Sequence, residues 1–505
     1  MSQFQEYLEL ARLDKKPHQS EAVAWCLEKE TIGTQIVSLS IAKQDHTIIY
    51  GGLIADEMGL GKTIQMVGTI ISNPLKNTLI VLPRILIEQW KTFMENTTRL
   101  SIYLYHGTKK ITDINALQKY DIIITTYGLI GKTYTVLREI EWSRVVFDEA
   151  HHMRNRKTTV FTGALALKSK IRWLITGTPI QNSRDDFYSL CDQLSIPKQF
   201  YSDHANQHFI ASNLIIKRTK QQANIVLPDL IIHEIEVKWN LKAERDLAKE
   251  IHRVLDFSNI KETNETNETK QTKQTKQTKQ TSLSVFGMQK IALYIRAKQS
   301  CIDMDLMSNK MKEILNQDIS LNQDESLNQV KSILEACTNS NKTLSSKLQS
   351  VTNKIIENRD NDRKKLVFCH YHGEIDRIKS ILEKASLNVA TFDGRTTQET
   401  REQLLLSKEI DVLILQIQTG CEGLNLQHFN EIYFVCPHWN PAIEDQAIAR
   451  CHRIGQKNPT NVYKFYMESF DLEKTTRTFD KYVSTVQESK RTVMREMITD
   501  PKESL

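Results

Sequence analysis

The chain has 505 residues, and its 67 lysines and arginines against 61 aspartates and glutamates give a net charge of +6. That length suits about three domains, and a charge excess this small does not by itself identify a partner. No run approaches the roughly 18 apolar residues of a membrane span, and the amino terminus lacks the basic-then-apolar plan of a secretion signal, so the chain is expected inside a cell, neither secreted nor in a membrane.

From about residue 48 to 180, short apolar runs alternate with helical stretches. The first run, Gly52-Leu53-Ile54-Ala55, leads into Asp56-Glu57-Met58-Gly59-Leu60-Gly61-Lys62-Thr63 and then a helix carrying Ile64, Val67 and Ile70 on one face. A glycine-rich turn between strand and helix aims successive N–H groups and the helix dipole at phosphates. Residues Asp56, Glu57, Met58, Gly59, Leu60, Gly61, Lys62 and Thr63 are therefore candidates for binding ATP, with Lys62 at the β/γ-phosphates and the Thr63 hydroxyl on Mg²⁺. Asp56 stands where the strict phosphate-loop pattern has its first glycine.

Further apolar runs follow at 78–82, 121–125, 144–147 and 172–176. Behind the third comes Asp148-Glu149-Ala150-His151: a strand-end carboxylate, Asp148, to hold the water shell of Mg²⁺, and Glu149 to polarise an attacking water. Near-continuous apolar strands between helices predict a parallel sheet covered on both faces.

The connector differs in character. Residues 261–281 run as Lys-Glu-Thr, Asn-Glu-Thr and Lys-Gln-Thr triplets with nothing apolar to bury, so this tract is expected to be disordered. Residues 240–260 and 284–360 read as helices lying between or on top of the lobes.

The alternation resumes after about residue 364, at 365–369, 388–392, 411–415 and 431–435. Beyond it, Gln446, Arg450 and Arg453 stand at i, i+4 and i+7, so one helix would project all three from one face. Two guanidinium forks there could neutralise charge on a transferring phosphoryl group. Lys62, Asp148, Glu149, Gln446, Arg450 and Arg453 form the expected catalytic set. The expected fold is α/β, with two RecA-like lobes at 1–235 and 346–505 joined by a helical, partly disordered connector at 236–345. The eight cysteines lack Cys-x-x-Cys spacing and any Cys/His cluster, and no zinc site is expected.

These boxes resemble the Swi/Snf-type, DEAH-box ATPases of helicase superfamily two. The resemblance runs from Lys16 to Tyr466 outside the connector, and is carried above all by residues 54–65, Asp148-Glu149-Ala150-His151, Thr176-Gly177-Thr178-Pro179, Trp439-Asn440-Pro441 and His452-Arg453-Ile454-Gly455-Gln456. It implies that Gln19 reads the adenine edge and that residues 176–179 and His151 couple the ATP site to a track. It also implies that Gly420, Glu422, Gly423 and Asn425 meet both ATP and nucleic acid. The track would be duplex DNA held by its phosphates, through Arg84, Gln89, Thr125, Thr126, Arg395 and Thr419.

The resulting expectation is a DNA-stimulated motor that translocates on double-stranded DNA and remodels or displaces bound proteins, with chromatin or transcription proteins as partners. Its expected place is the nucleus, or a viral factory or virion if the chain is viral. A strand-separating DNA or RNA helicase is the alternative, and a catalytically silent scaffold is the reading from another class.

Overall fold

A computed structural model describes residues 2–39, 44–108, 110–181, 183–255, 294–306, 345–397, 400–401, 403–404, 407, 409–420, 424, 426–470 and 477–498. The expected disordered tract at 261–281 lies outside these residues.

The first sheet takes its strands from β1 (Thr34–Leu39), β2 (Gln44–Ile54), β3 (Thr78–Leu82), β4 (Ile102–Leu104), β5 (Ile122–Thr126), β6 (Glu141–Asp148), β7 (Lys168–Ile175) and β8 (Ile215–Ile216). Their order is β1-β2-β7-β6-β3-β5-β4, with β8 beside β2. Only β1 runs antiparallel to its neighbour. The pleat explains why β3 is apolar throughout: Leu79 and Val81 enter one core while Ile80 and Leu82 enter another on the opposite face.

The second sheet has the order β11-β12-β10-β13-β14-β9, parallel throughout. Its strands are β9 (Leu230–Val237), β10 (Lys365–Cys369), β11 (Val389–Phe392), β12 (Val412–Gln416), β13 (Glu431–Phe434) and β14 (Thr460–Met467). Val367 and Cys369 face one core and Leu366 and Phe368 the other. Two RecA-like lobes result. The boundary expected at residue 235 falls inside β9, which pairs with β14 over its whole length and so belongs to the second lobe. Its exposed Leu230, Ile231 and Ile232 hide this from a sequence reading, because an edge strand lacks the continuous burial of a central one.

Connector helices pack on the second sheet rather than between the lobes. Leu247 and Ile251 of the helix Lys242–Leu255, Ala297 and Ile302 of the 294–302 helix, and Leu348, Val351 and Ile355 of Ser346–Glu357 join the β10 and β12 side chains in one core. A buried Lys347–Asp480 ion pair ties that last helix to the carboxy-terminal helix Phe479–Ile498. In the first lobe, Arg144 of β6 meets Glu30 at 2.5 Å with both side chains fully buried, and Trp173 Nε1 and Asn73 Nδ2 also donate to Glu30. Removing one partner of such a pair costs about 3–5 kcal/mol, so this network fixes β6 and β7 against the helices that flank the phosphate loop.

One buried histidine makes the second lobe acid-sensitive. His252 Nδ1 bonds the Ala248 carbonyl at 2.6 Å, and its Nε2 accepts the Phe479 N–H at 2.8 Å, an arrangement only the neutral ring satisfies. Burial holds its pKa down at about 4, against an ordinary 6.5. The unfolded ring gains its proton first as pH falls, so the contribution of His252 is whole above 6.5 and is lost progressively towards 4. From pH 7 to pH 5 the stability read from urea unfolding should fall by about 2 kcal/mol through this residue alone. His252→Gln should flatten that part of the profile, and an unchanged slope would refute the assignment.

Candidate active site and nucleic-acid cleft

The phosphate loop joins the end of β2 to the helix Lys62–Ser72. Gly59 and Gly61 adopt φ of +92° and +82°, a backbone conformation that favours glycine, and a Cβ on Gly61 would lie 2.3 Å from Gln19 Nε2 and displace that amide from the loop. Leu60 contributes its carbonyl, which accepts from Gln19 at 3.2 Å and lies 3.0 Å from His18 Nε2. Its side chain is fully buried.

Asp56 does not face the site. Its carboxylate is buried and takes both arms of Arg218, Nε at 3.1 Å and Nη2 at 2.5 Å, plus Gln65 Nε2 at 2.9 Å. The residue replacing the first glycine is thus a strut holding the loop from behind, a correction to its expected place among ligands. Glu57 likewise turns to Lys220, whose Nζ lies 3.0 Å from Oε1 and whose N–H donates to Oε2 at 2.8 Å.

Lys62 Nζ donates to the carbonyls of Asp56 at 2.7 Å and Glu57 at 3.4 Å. Burial lowers its pKa, opposed by Glu149, Asp56 and Asp148. Asp148, at the end of β6, accepts Trp90 Nε1 at 2.7 Å on one oxygen and the Glu149 N–H at 2.9 Å on the other. Burial and the Glu149 charge push the Asp148 carboxyl well above the ordinary range. Burial alone would raise Glu149 too, but His151, then Arg450 and Lys62, outweigh it and hold Glu149 low. Glu149 sits at φ +51°, a left-handed turn at the strand end that a glutamate rarely adopts. His151 Nδ1 lies 3.3 Å from both Glu149 Oε2 and Thr176 Oγ1, linking the carboxylate to the 176–179 segment.

Among the described residues no group of three or more His, Cys, Asp or Glu could hold a metal by itself. The donors present fit Mg²⁺, which takes one or two carboxylates, a hydroxyl and substrate phosphates, and Asp148 has a charge that burial leaves wanting a cation.

The second lobe approaches this site through the helix Pro441–Cys451. Arg450 Nη2 comes within 3.8 Å of Glu149 Oε1. Arg453 lies beyond the helix end, in the turn, with its Cβ 3.6 Å from where a Gly59 Cβ would stand. The expectation that one helix carries all three residues is corrected, since the backbone breaks at His452 and the two arginines converge from different elements. Burial, then Arg450, lowers the Arg453 pKa. Gln446 is buried and donates to Thr178 Oγ1 at 3.2 Å, so it meets the coupling segment and not the carboxylates. Asn440 Nδ2 meets Gln181 Oε1 at 2.9 Å close by.

A separate cleft of about 1300 Å³ is lined by Arg84, Thr126, His106 and His152 from the first lobe and Thr396, Arg401 and Gln418 from the second. Of the expected nucleic-acid contacts, Arg84 and Thr126 lie there. Thr125 is fully buried and its hydroxyl donates to the Tyr105 carbonyl at 3.1 Å, because alternate residues of β5 point to opposite faces. Arg395 is engaged by Asp376 at 2.8 Å and Asp393 at 2.6 Å. Gln89 is exposed but is not part of the cleft lining. The Thr419 side chain, and Glu422, Gly423 and Asn425, lie outside the described residues.

A family described as the SNF2-related domain matches residues 18–364, and one described as the helicase conserved C-terminal domain matches 346–455. The chain is 23% identical to a DNA repair protein, RAD5B, of Arabidopsis thaliana, over 89% of this chain and 45% of that one. It is 24% identical to a probable global transactivator of Orgyia pseudotsugata multicapsid polyhedrosis virus, over 95% of this chain and 90% of the relative. Among solved structures, a Sulfolobus solfataricus SWI2/SNF2 ATPase core in complex with dsDNA is similar at 22% identity and a TM-score of 0.39, covering 96% and 97% of the two chains. The chain spans about half the length of the plant relatives it matches. With most of its length matched by the first of these families, the chain belongs to the SNF2-related family.

Proposed function

We propose that this chain is an ATP hydrolase stimulated by DNA, which moves along duplex DNA and thereby remodels or displaces bound proteins. The observation that carries this reading is the convergence of Lys62, Asp148 and Glu149 from one lobe with Arg450 and Arg453 from the other. A site whose charges come from two lobes can be complete only when they close, which is how hydrolysis becomes movement.

In this reading the N–H groups of residues 59–63 cradle the phosphates, and Lys62 exchanges its carbonyl partners for phosphate oxygens. Glu149, kept ionised by His151 and Arg450, orients the attacking water. Mg²⁺, when bound, would neutralise phosphate charge, with Asp148 and Thr63 holding it. Arg450 and Arg453 balance charge as it builds on the transferring group. Gln446 and Asn440 carry the lobe position to Thr178 and Gln181, the segment His151 also touches through Thr176.

Arg84, exposed on the first-lobe side of the second cleft, suits the phosphates of one strand of a duplex and reads no sequence, with Arg401 across from it already bonded to the carbonyls of Asp393 and Thr396. The plant relative's name as a DNA repair protein supports DNA as the track. The viral relative's name as a probable global transactivator supports transcription proteins as partners, for which a nucleus or viral factory is the proposed place.

Steady-state ATP hydrolysis at low salt, without nucleic acid and then with duplex DNA, single-stranded DNA or duplex RNA, tests the reading. Duplex DNA is expected to stimulate most, with stimulation falling as salt rises. Stimulation by single strands or RNA alone would replace the translocase with a strand-separating helicase.

A further inference from the structure

Residues 218–228 form a strap between the phosphate loop and the second-lobe turn that carries Arg453. Arg218 grips Asp56 with both arms, and its carbonyl accepts the Glu57 N–H at 2.9 Å. Two residues on, Lys220 spans the lobes: Nζ lies 3.0 Å from Glu57 Oε1 and donates to the His452 carbonyl at 3.1 Å. Pro228 closes the strap, its carbonyl lying 2.7 Å from His452 Nε2. The Lys220 Cε and the Arg453 Cβ lie 3.8 Å and 3.6 Å from the same point, where a Gly59 Cβ would stand, so the two side chains flank the loop glycine together.

His452 caps the helix that presents Arg450. The carbonyls at a helix carboxyl terminus carry the negative end of the dipole, where a lysine ammonium is favoured. Lys220 thus holds the helix end by its charge and holds Glu57 of the phosphate loop with the same ammonium. A shift of that loop as phosphates bind or leave is passed through one side chain to the turn between Arg450 and Arg453.

We propose that Lys220 is a positioning residue that sets the approach of Arg450 and Arg453 by the state of the phosphate loop. This rests on the ATPase reading above, and it predicts that Lys220 governs turnover and not nucleotide affinity.

The test is steady-state hydrolysis by wild type, Lys220→Met and Lys220→Arg, with saturating duplex DNA and varied ATP, beside thermal melts. Lys220→Met keeps the stem and loses the charge, so kcat should fall about ten-fold or more with KM within about three-fold, and Lys220→Arg should recover most of the loss. Wild-type kcat in Lys220→Met, or a rise in KM alone, would overturn the proposal. Should Lys220→Met fail to fold, Lys220→Arg decides, since a kcat well below wild type with the charge retained would overturn it and near-wild-type kcat would support it. Absence of hydrolysis in the wild type would instead count against the ATPase reading.

Discussion

Lys62→Ala is expected to reduce ATP turnover by about 10²–10³-fold or more, the loss typical of removing one preorganised donor from a developing charge. The structure sharpens what else should happen. Lys62 is only partly exposed: its ammonium is held by the carbonyls of Asp56 and Glu57, and burial lowers its pKa against the charges of Glu149, Asp56 and Asp148. Its removal therefore takes a cation from beside two buried carboxylates, one of which is already pushed upward by burial and by its neighbour. The fold should persist, because the loop is held by Arg218 on Asp56 and by Gln19 on Leu60, none of which depends on Lys62. Turnover with DNA stimulation intact in the variant would refute the phosphate-loop assignment, and a lost melting transition would show that the ammonium is mainly structural.

The parts legible in the sequence were those written at short range. The glycine spacing of the loop, the apolar run ahead of Asp148 and the alternation of strands and helices each arise within about ten residues, where pleat and helix period dictate pattern. What escaped are partners distant in sequence. Trp90 holds Asp148 across 58 residues, and Arg218 holds Asp56 across 162. Nothing local says that a tryptophan N–H orients the carboxylate or that an aspartate in a phosphate loop points away from phosphate. The pleat decided between Thr125 and Thr126, and only the core placement of β5 tells which is inward. Helix period misled at Arg453, where extending i, i+4 and i+7 overran the helix end. Gly455, at φ +102° soon after, was the stop signal.

That helix end gives the last expectation its form. Arg450→Ala and Arg453→Ala should each lower kcat by roughly 10³–10⁵-fold, the range for arginines that stabilise phosphoryl transfer from a second element. Arg450 faces Glu149 at 3.8 Å and Arg453 stands over Gly59, so they approach from the water side and from the loop side respectively. Neither can substitute for the other, and each is positioned by the same His452 turn. Groups acting as one unit lose most of their effect when either is removed. The double variant should therefore be no more than about ten-fold worse than the poorer single variant, instead of showing the product of the two losses. Duplex affinity, measured by fluorescence anisotropy, should stay near wild type in all three, because neither arginine lines the cleft that holds Arg84 and Arg401. Multiplicative losses would mean that the two arginines act at separate steps, and a parallel loss of DNA binding would place at least one of them on the track rather than on the nucleotide.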